Sequence, residues 1–327
     1  LALLFLSGCA VTDFVSQRYE NSVAYFNTYY NASRLFDEAI LEIETTEKAQ
    51  RSRGLPPSKE ISQTVRQKLT TVIEKCSKLL QYHPNTKWVD DALMLIGKSY
   101  YYEGEYPKAE RKFAELIAQF PNSDHFLEAR LWLGKSFRRS NDLDKAVREL
   151  GSVAEVAIAE SEKGIADEAL LALGELNVER KSYSEAVKAY QDLVDHSDSD
   201  ERKAEAQFRI GELHENAQEY EKASEAYRKV VDFKSDPSVR YAARFRYAVN
   251  ANRAKNHEGA LRVLYNLLDD RANLEFYPQI KLEIARVLHD KGEIRNAIEA
   301  YGIIDTSYAR SNVASKAYYQ LGLIYEK

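Results

Sequence analysis

The chain repeats itself, and the repeat decides what it can fold into. The stretches ALMLIGKSYYYEGEYPKAERKF from Ala92, ARLWLGKSFRRSNDLDKAVREL from Ala129, ALLALGELNVERKSYSEAVKAY from Ala169 and AQFRIGELHENAQEYEKASEAY from Ala206 superpose without a gap. The register continues through ARFRYAVNANRAKNHEGALRVL from Ala243 and IKLEIARVLHDKGEIRNAIEAY from Ile280, and half of it recurs in AYYQLGLIYEK from Ala317. In each full repeat a small residue (Gly97, Gly134, Gly174, Gly211, Ala248, Ala285) precedes an alanine (Ala109, Ala146, Ala186, Ala223, Ala260, Ala297) by 12 positions. Successive repeats begin 37, 40, 37, 37, 37 and 37 residues apart. A fixed period in this range marks an array whose units bury their apolar faces against one another.

Each repeat reads as a helix hairpin. Apolar residues at three- and four-residue spacing surround the small residue, and the same pattern surrounds the alanine, giving two amphipathic helices. Turn-compatible stretches such as YEGEYP and NAQEYE separate them. Small residues fall where two helices cross too closely for a large side chain, so their identity is a packing requirement. Composition agrees: 13 Gly and 7 Pro in 327 residues leave few helix breakers, and 44% hydrophobic with 30% charged residues is the balance of a folded chain. The expectation is all-α.

The small, aromatic, small and proline positions, seen as Gly97, Tyr106, Ala109, Phe113 and Pro121, closely resemble the tetratricopeptide repeat. That resemblance implies a right-handed α-solenoid of helix hairpins. It covers residues 58–327, as a degenerate first unit, six full units and one half unit. The period departs from the family's roughly 34 residues, and the extra three fall after the constant core, in a longer second helix and its outgoing turn. The 40-residue unit adds one further turn in GSVAEVAIAESEKG. Upstream, residues 19–57 read as an N-terminal helix closed by the break Gly54-Leu55-Pro56-Pro57.

Residues 1–9 carry a different signal. Six apolar residues stop at Leu6-Ser7-Gly8-Cys9, which resembles a bacterial lipobox, with Cys9 as the lipidated mature N-terminus and residues 10–18 as a tether. Several acyl chains on one residue anchor stably where one is marginal. Ala10 after the cysteine favours outer-membrane sorting by resemblance to the enterobacterial rule. The Asn/Tyr-rich stretch RYENSVAYFNTYYNA is similar to the tetratricopeptide lipoproteins of type IX secretion and gliding motility. The architecture alone resembles the repeat lipoprotein of the β-barrel assembly machinery. These resemblances imply a place in the bacterial envelope, facing the periplasm from the outer membrane.

Motifs for catalysis are not present: there is no glycine-rich phosphate loop, paired CxxC, HExxH or GxSxG. The six His are scattered over different units, whereas metal sites need clustered ligands. The acidic run Asp195–Glu201 lacks the order of a calcium loop and reads as a turn, with Asp198 or Asp200 capping the next helix. Cys76 reads as core, and Tyr106, Tyr183, Tyr190, Tyr220, Tyr227 and Tyr301 as repeat-core positions. A net charge of -5 gives no general attraction to nucleic acid. No cofactor, metal or small-molecule substrate is expected.

What remains is a surface. By the family resemblance, residues one, four and five after each small position face a groove. These are Lys98, Tyr101, Tyr102, Lys135, Arg138 and Arg139, then Glu175, Val178, Glu179, Glu212, Glu215 and Asn216. The groove is expected to change sign along its length and to hold other envelope proteins or peptides. The expected role is a membrane-anchored scaffold in an outer-membrane assembly or secretion machine. Two other readings stay open: a coordinator of the cell wall or of envelope constriction, and the recruiting arm of an enzyme whose catalytic domain lies beyond residue 327. The closing stretch ASKAYYQLGLIYEK is apolar nearly all round, which leads us to expect that the array continues.

Overall fold

A computed structural model describes residues 18–24, 28–52 and 60–326, and all the regular structure among them is helical. Cys9 and the Gly54–Pro57 break lie outside the described residues. The helices are α1 (Tyr30–Ser52), α2 (Gln63–Tyr82), α3 (Val89–Glu103), α4 (Tyr106–Gln119), α5 (Phe126–Arg139), α6 (Leu143–Ala159), α7 (Lys163–Glu179) and α8 (Tyr183–His196). They continue as α9 (Asp200–Asn216), α10 (Tyr220–Val230), α11 (Pro237–Arg253), α12 (His257–Asp269), α13 (Tyr277–Asp290), α14 (Ile294–Ser307) and α15 (Ala314–Tyr325), with a 3-10 turn at Arg271–Phe276 before α13. The described residues divide into two compact halves, those up to Leu176 and those from Asn177 onward, and within each half consecutive helices pack on one another.

The repeat register fixes the packing. A Cβ built on Gly97 would lie 2.5 Å from the ring of Phe113, one on Gly134 2.8 Å from Leu150, and one on Gly211 2.7 Å from the ring of Tyr227. Each partner stands four residues after the repeat alanine, and all three are fully buried. Glycine inside a helix costs about 1 kcal/mol against alanine. Here the close approach of the large side chain outweighs that cost, because a methyl group would have to displace it. Tyr190 and Tyr301 occupy the same register and are buried likewise.

Each of the six full repeats turns at one position, seven residues after the small one. Gly104, Asn141, Lys181, Gln218, Lys255 and Gly292 all have φ between 60° and 89°. The two backbone bonds of a Schellman closure accompany each, as with Gly104 N–H to the Tyr101 carbonyl (3.1 Å) and Glu105 N–H to the Tyr100 carbonyl (2.9 Å). The sequence reading missed this register, since only two of the six positions are glycine. The 40-residue repeat places its extra residues in α6, 17 residues long against 14 in α4 and α8, and adds a further left-handed residue at Ser161.

Three details differ from expectation. Tyr183 is exposed, because it opens α8 at the solvent side of the turn. Helix α9 is capped by Ser199, whose hydroxyl accepts from the Arg202 amide at 3.3 Å, while Asp200 lies in the first turn and accepts from the Lys234 amide. In α15, Leu321 and Ile324 pack on the core while Tyr318, Tyr319 and Tyr325 face outward. Cys76 is buried in α2, and desolvation pushes its thiol up to about 12, which keeps it unreactive.

Candidate functional site

In the N-terminal half the basic groove positions are already paired. Lys98 meets Glu128 at 2.6 Å, Lys135 bonds Glu168, and Arg138 meets Glu175 at 2.7 Å, each pair joining one first helix to the next. The three basic side chains are 19% exposed, whereas Glu128, Glu168 and Glu175 are 31%, 45% and 45% exposed. The outer member of every pair is therefore the carboxylate. Arg139 is the exception: it is exposed, and its guanidinium donates to the Tyr106 hydroxyl at 2.9 and 3.0 Å.

Beneath these pairs lies an aromatic cluster centred on Trp132. Tyr101 meets its ring edge-on at 5.1 Å and Tyr102 lies at 5.8 Å, while the ammonium of Lys135 stands 4.5 Å from the ring centre. Tyr101 and Tyr102 also line a cavity of about 570 Å³ with Tyr106, Arg139, Glu42 and Glu103. Trp132, two residues before a small position, went unnoticed in the sequence because nothing in the period marks it.

His125, also missed, ties the first two repeats together. Its ring lies 3.0 Å from Asp91 and 3.7 Å from Glu128. Those hydrogen bonds raise its pKa from 6.5 to about 10, so the imidazole is charged at neutral pH. Burial alone would raise Glu128, but hydrogen bonds from His125, Lys98 and Trp132 hold it down at about 2.

The C-terminal half inverts the layering. Glu215 accepts from Arg246 at 2.9 Å, from Arg253 at 3.1 Å and from the Tyr227 hydroxyl at 3.0 Å, and Glu283 pairs with Arg286 at 3.1 Å. These glutamates are 12% and 7% exposed, against 46%, 46% and 41% for Arg246, Arg253 and Arg286. Burial pushes the Glu283 carboxyl up despite its arginine. Of the other groove positions, Glu212 pairs with Arg209 at 2.8 Å and Glu179 is exposed. The three arginines on α11 and α13 escaped the sequence reading, which followed the groove positions only as far as Asn216. Among the described residues no group of His, Cys, Asp and Glu could hold a metal, and no helix is long and apolar enough to cross a membrane.

Comparison with known proteins identifies the repeat. The model of the tetratricopeptide repeat matches residues 94–162 and 171–239. These two stretches carry tetratricopeptide repeats. Among solved structures, the C-terminal part of a TPR repeat-containing protein from Cytophaga hutchinsonii is similar over 76% of this chain and 94% of its own, at 13% identity and a TM-score of 0.55. A tetratricopeptide repeat protein from Parabacteroides merdae is similar over 89% of this chain and 99% of its own, at 12% identity and a TM-score of 0.43. At 13% identity the likeness to the Cytophaga protein is one of fold. No curated protein matches the chain. Tetratricopeptide repeats form protein-interaction scaffolds, typically without catalysis, and their stacked first helices supply extended binding surfaces.

Proposed function

We propose that this tetratricopeptide array is a protein-binding scaffold of the bacterial envelope, held on the outer membrane through lipid on Cys9 and facing the periplasm. Partners would be other proteins of an assembly or secretion machine, engaged along the first helices. The observation that carries the reading is the ordered charge on that face: successive first helices within each half are cross-linked by ion pairs that leave one charged group outward. A surface held in this way is preorganised, and ordering costs on binding are correspondingly small. The Leu6-Ser7-Gly8-Cys9 pattern supports the anchor.

The test replaces Cys9 with serine in cells producing the protein, then fractionates membranes and cross-links partners. The expected result is release to the soluble fraction with unchanged helicity and loss of the envelope partners. Membrane association that persists, with the signal still cleaved, would overturn the anchoring; an absence of any cross-linked protein partner would overturn the scaffold.

A further inference from the structure

Two cavities of about 350 and 280 Å³ open on the C-terminal half and share Val249, Arg253, Glu283 and Arg286, so they form one trough. Arg246 and Lys316 line its first part, and Tyr301 and Asn252 its second. Three carboxylates also line it: Glu215 and Glu283 are only 12% and 7% exposed and already paired with the arginines, and the exposed Asp290 accepts from Asn252 at 2.7 Å. A guanidinium carries five N–H donors, and the bonds of Arg246, Arg253 and Arg286 to Glu215 and Glu283 each engage one nitrogen, Nη1. The three side chains remain 46%, 46% and 41% exposed.

A second observation points the same way. The Tyr301 hydroxyl is fully buried, lines the trough and has no hydrogen-bond partner among the described residues. An unmet buried hydroxyl is costly to leave unpaired, and the equivalent Tyr227 hydroxyl two repeats earlier donates to Glu215. At Tyr301 no described residue supplies the matching acceptor.

We infer that this trough binds an acidic segment of a partner protein, with one of its carboxylates held between Arg253 and Arg286 and reached by the Tyr301 hydroxyl. Planar carboxylates match the arginine fork, and each such bond is charge-assisted. The inference rests on the scaffold reading and names the chemistry of one partner; it does not depend on the lipid anchor.

The test is fluorescence anisotropy with the full chain and a dye-labelled peptide of alternating Glu and Ser, a Lys/Ser peptide serving as control. Wild type is expected to bind the acidic peptide more tightly than the basic one, with affinity falling as salt rises. Arg253→Gln and Arg286→Gln should each weaken binding about tenfold, while Lys135→Gln in the other half should not. Tyr301→Phe removes only the hydroxyl and should weaken binding about threefold to tenfold without lowering the melting temperature. Equal binding of the two peptides, or unchanged affinity in both arginine variants, would overturn the inference while leaving the scaffold to be decided by cross-linking. A Tyr301→Phe variant that melts lower and binds unchanged would overturn the role of the hydroxyl.

Discussion

The two halves use the same repeat and the same kind of ion pair, yet they present opposite charges. In the N-terminal half Lys98, Lys135 and Arg138 lie inward and their glutamates outward; in the C-terminal half Glu215 and Glu283 lie inward and their arginines outward. A pair is neutral as a sum, but its near field is set by whichever member stays in water. Counting basic and acidic residues along the first helices therefore gives the wrong sign for what a partner meets. The layering also differs in strength, since a carboxylate beneath the surface depends on its donors more than one at the rim does.

The largest expected effect follows from that difference. Glu215→Gln should destabilise the C-terminal half by about 2–4 kcal/mol, because it leaves Arg246, Arg253 and the Tyr227 hydroxyl around a side chain that no longer carries charge. Glu168→Gln, at the rim of the other half, should cost less than about 1 kcal/mol. Hydrogen exchange over α9–α11 and α5–α7 reads the two separately. Equal losses in both would erase the distinction between the layers.

Packing should respond alike in both halves. Gly97→Ala and Gly211→Ala place a methyl against a buried ring, and Ala223→Leu overfills a fully buried position, so each should cost about 1–3 kcal/mol. Glu221→Leu, on the exposed side of α10, should change the melting temperature much less. Matching melts for Ala223→Leu and Glu221→Leu would contradict the register.

In the N-terminal half the response to pH should centre on His125 and Glu128. His125 has a folded pKa raised to about 10, so its contribution is fully present below its unfolded value of 6.5 and is lost as pH rises toward 10. Glu128 is held at about 2, so its contribution is present above its unfolded value of 4.5 and is lost as pH falls toward 2. Denaturant midpoints measured from pH 6 to 10 should fall in wild type and stay flatter in His125→Gln. Parallel pH profiles would remove His125 from the account.

The smallest effects should come from the hairpin turns. Left-handed geometry costs a side-chain-bearing residue roughly 1–2 kcal/mol, part of which glycine returns in unfolded-state entropy. Lys181→Gly, Gln218→Gly and Lys255→Gly in the C-terminal half should each add about 0.5–1 kcal/mol, whereas Gly104→Ala and Gly292→Ala should each lose a similar amount. Thermal melting of single variants checks the sign.

The sequence by itself determined the period, the helix hairpin and the close crossings at Gly97, Gly134 and Gly211, because apolar spacing and the size of a side chain are local properties that recur wherever the hairpin does. It also placed Cys76 and the buried tyrosines at 190, 227 and 301. The turn residues were harder to see: backbone geometry imposes a left-handed residue at Lys181, Gln218 and Lys255 without asking for glycine. The charge of the faces was decided only by the tertiary structure. Whether Arg138 or Glu175, Arg253 or Glu215, reaches water depends on the depth at which the next helix places its partner, and helices meet at that depth only when the hairpins are stacked. Desolvation then acts unequally on the two members of each pair, so the sign a partner meets is a property of the packing.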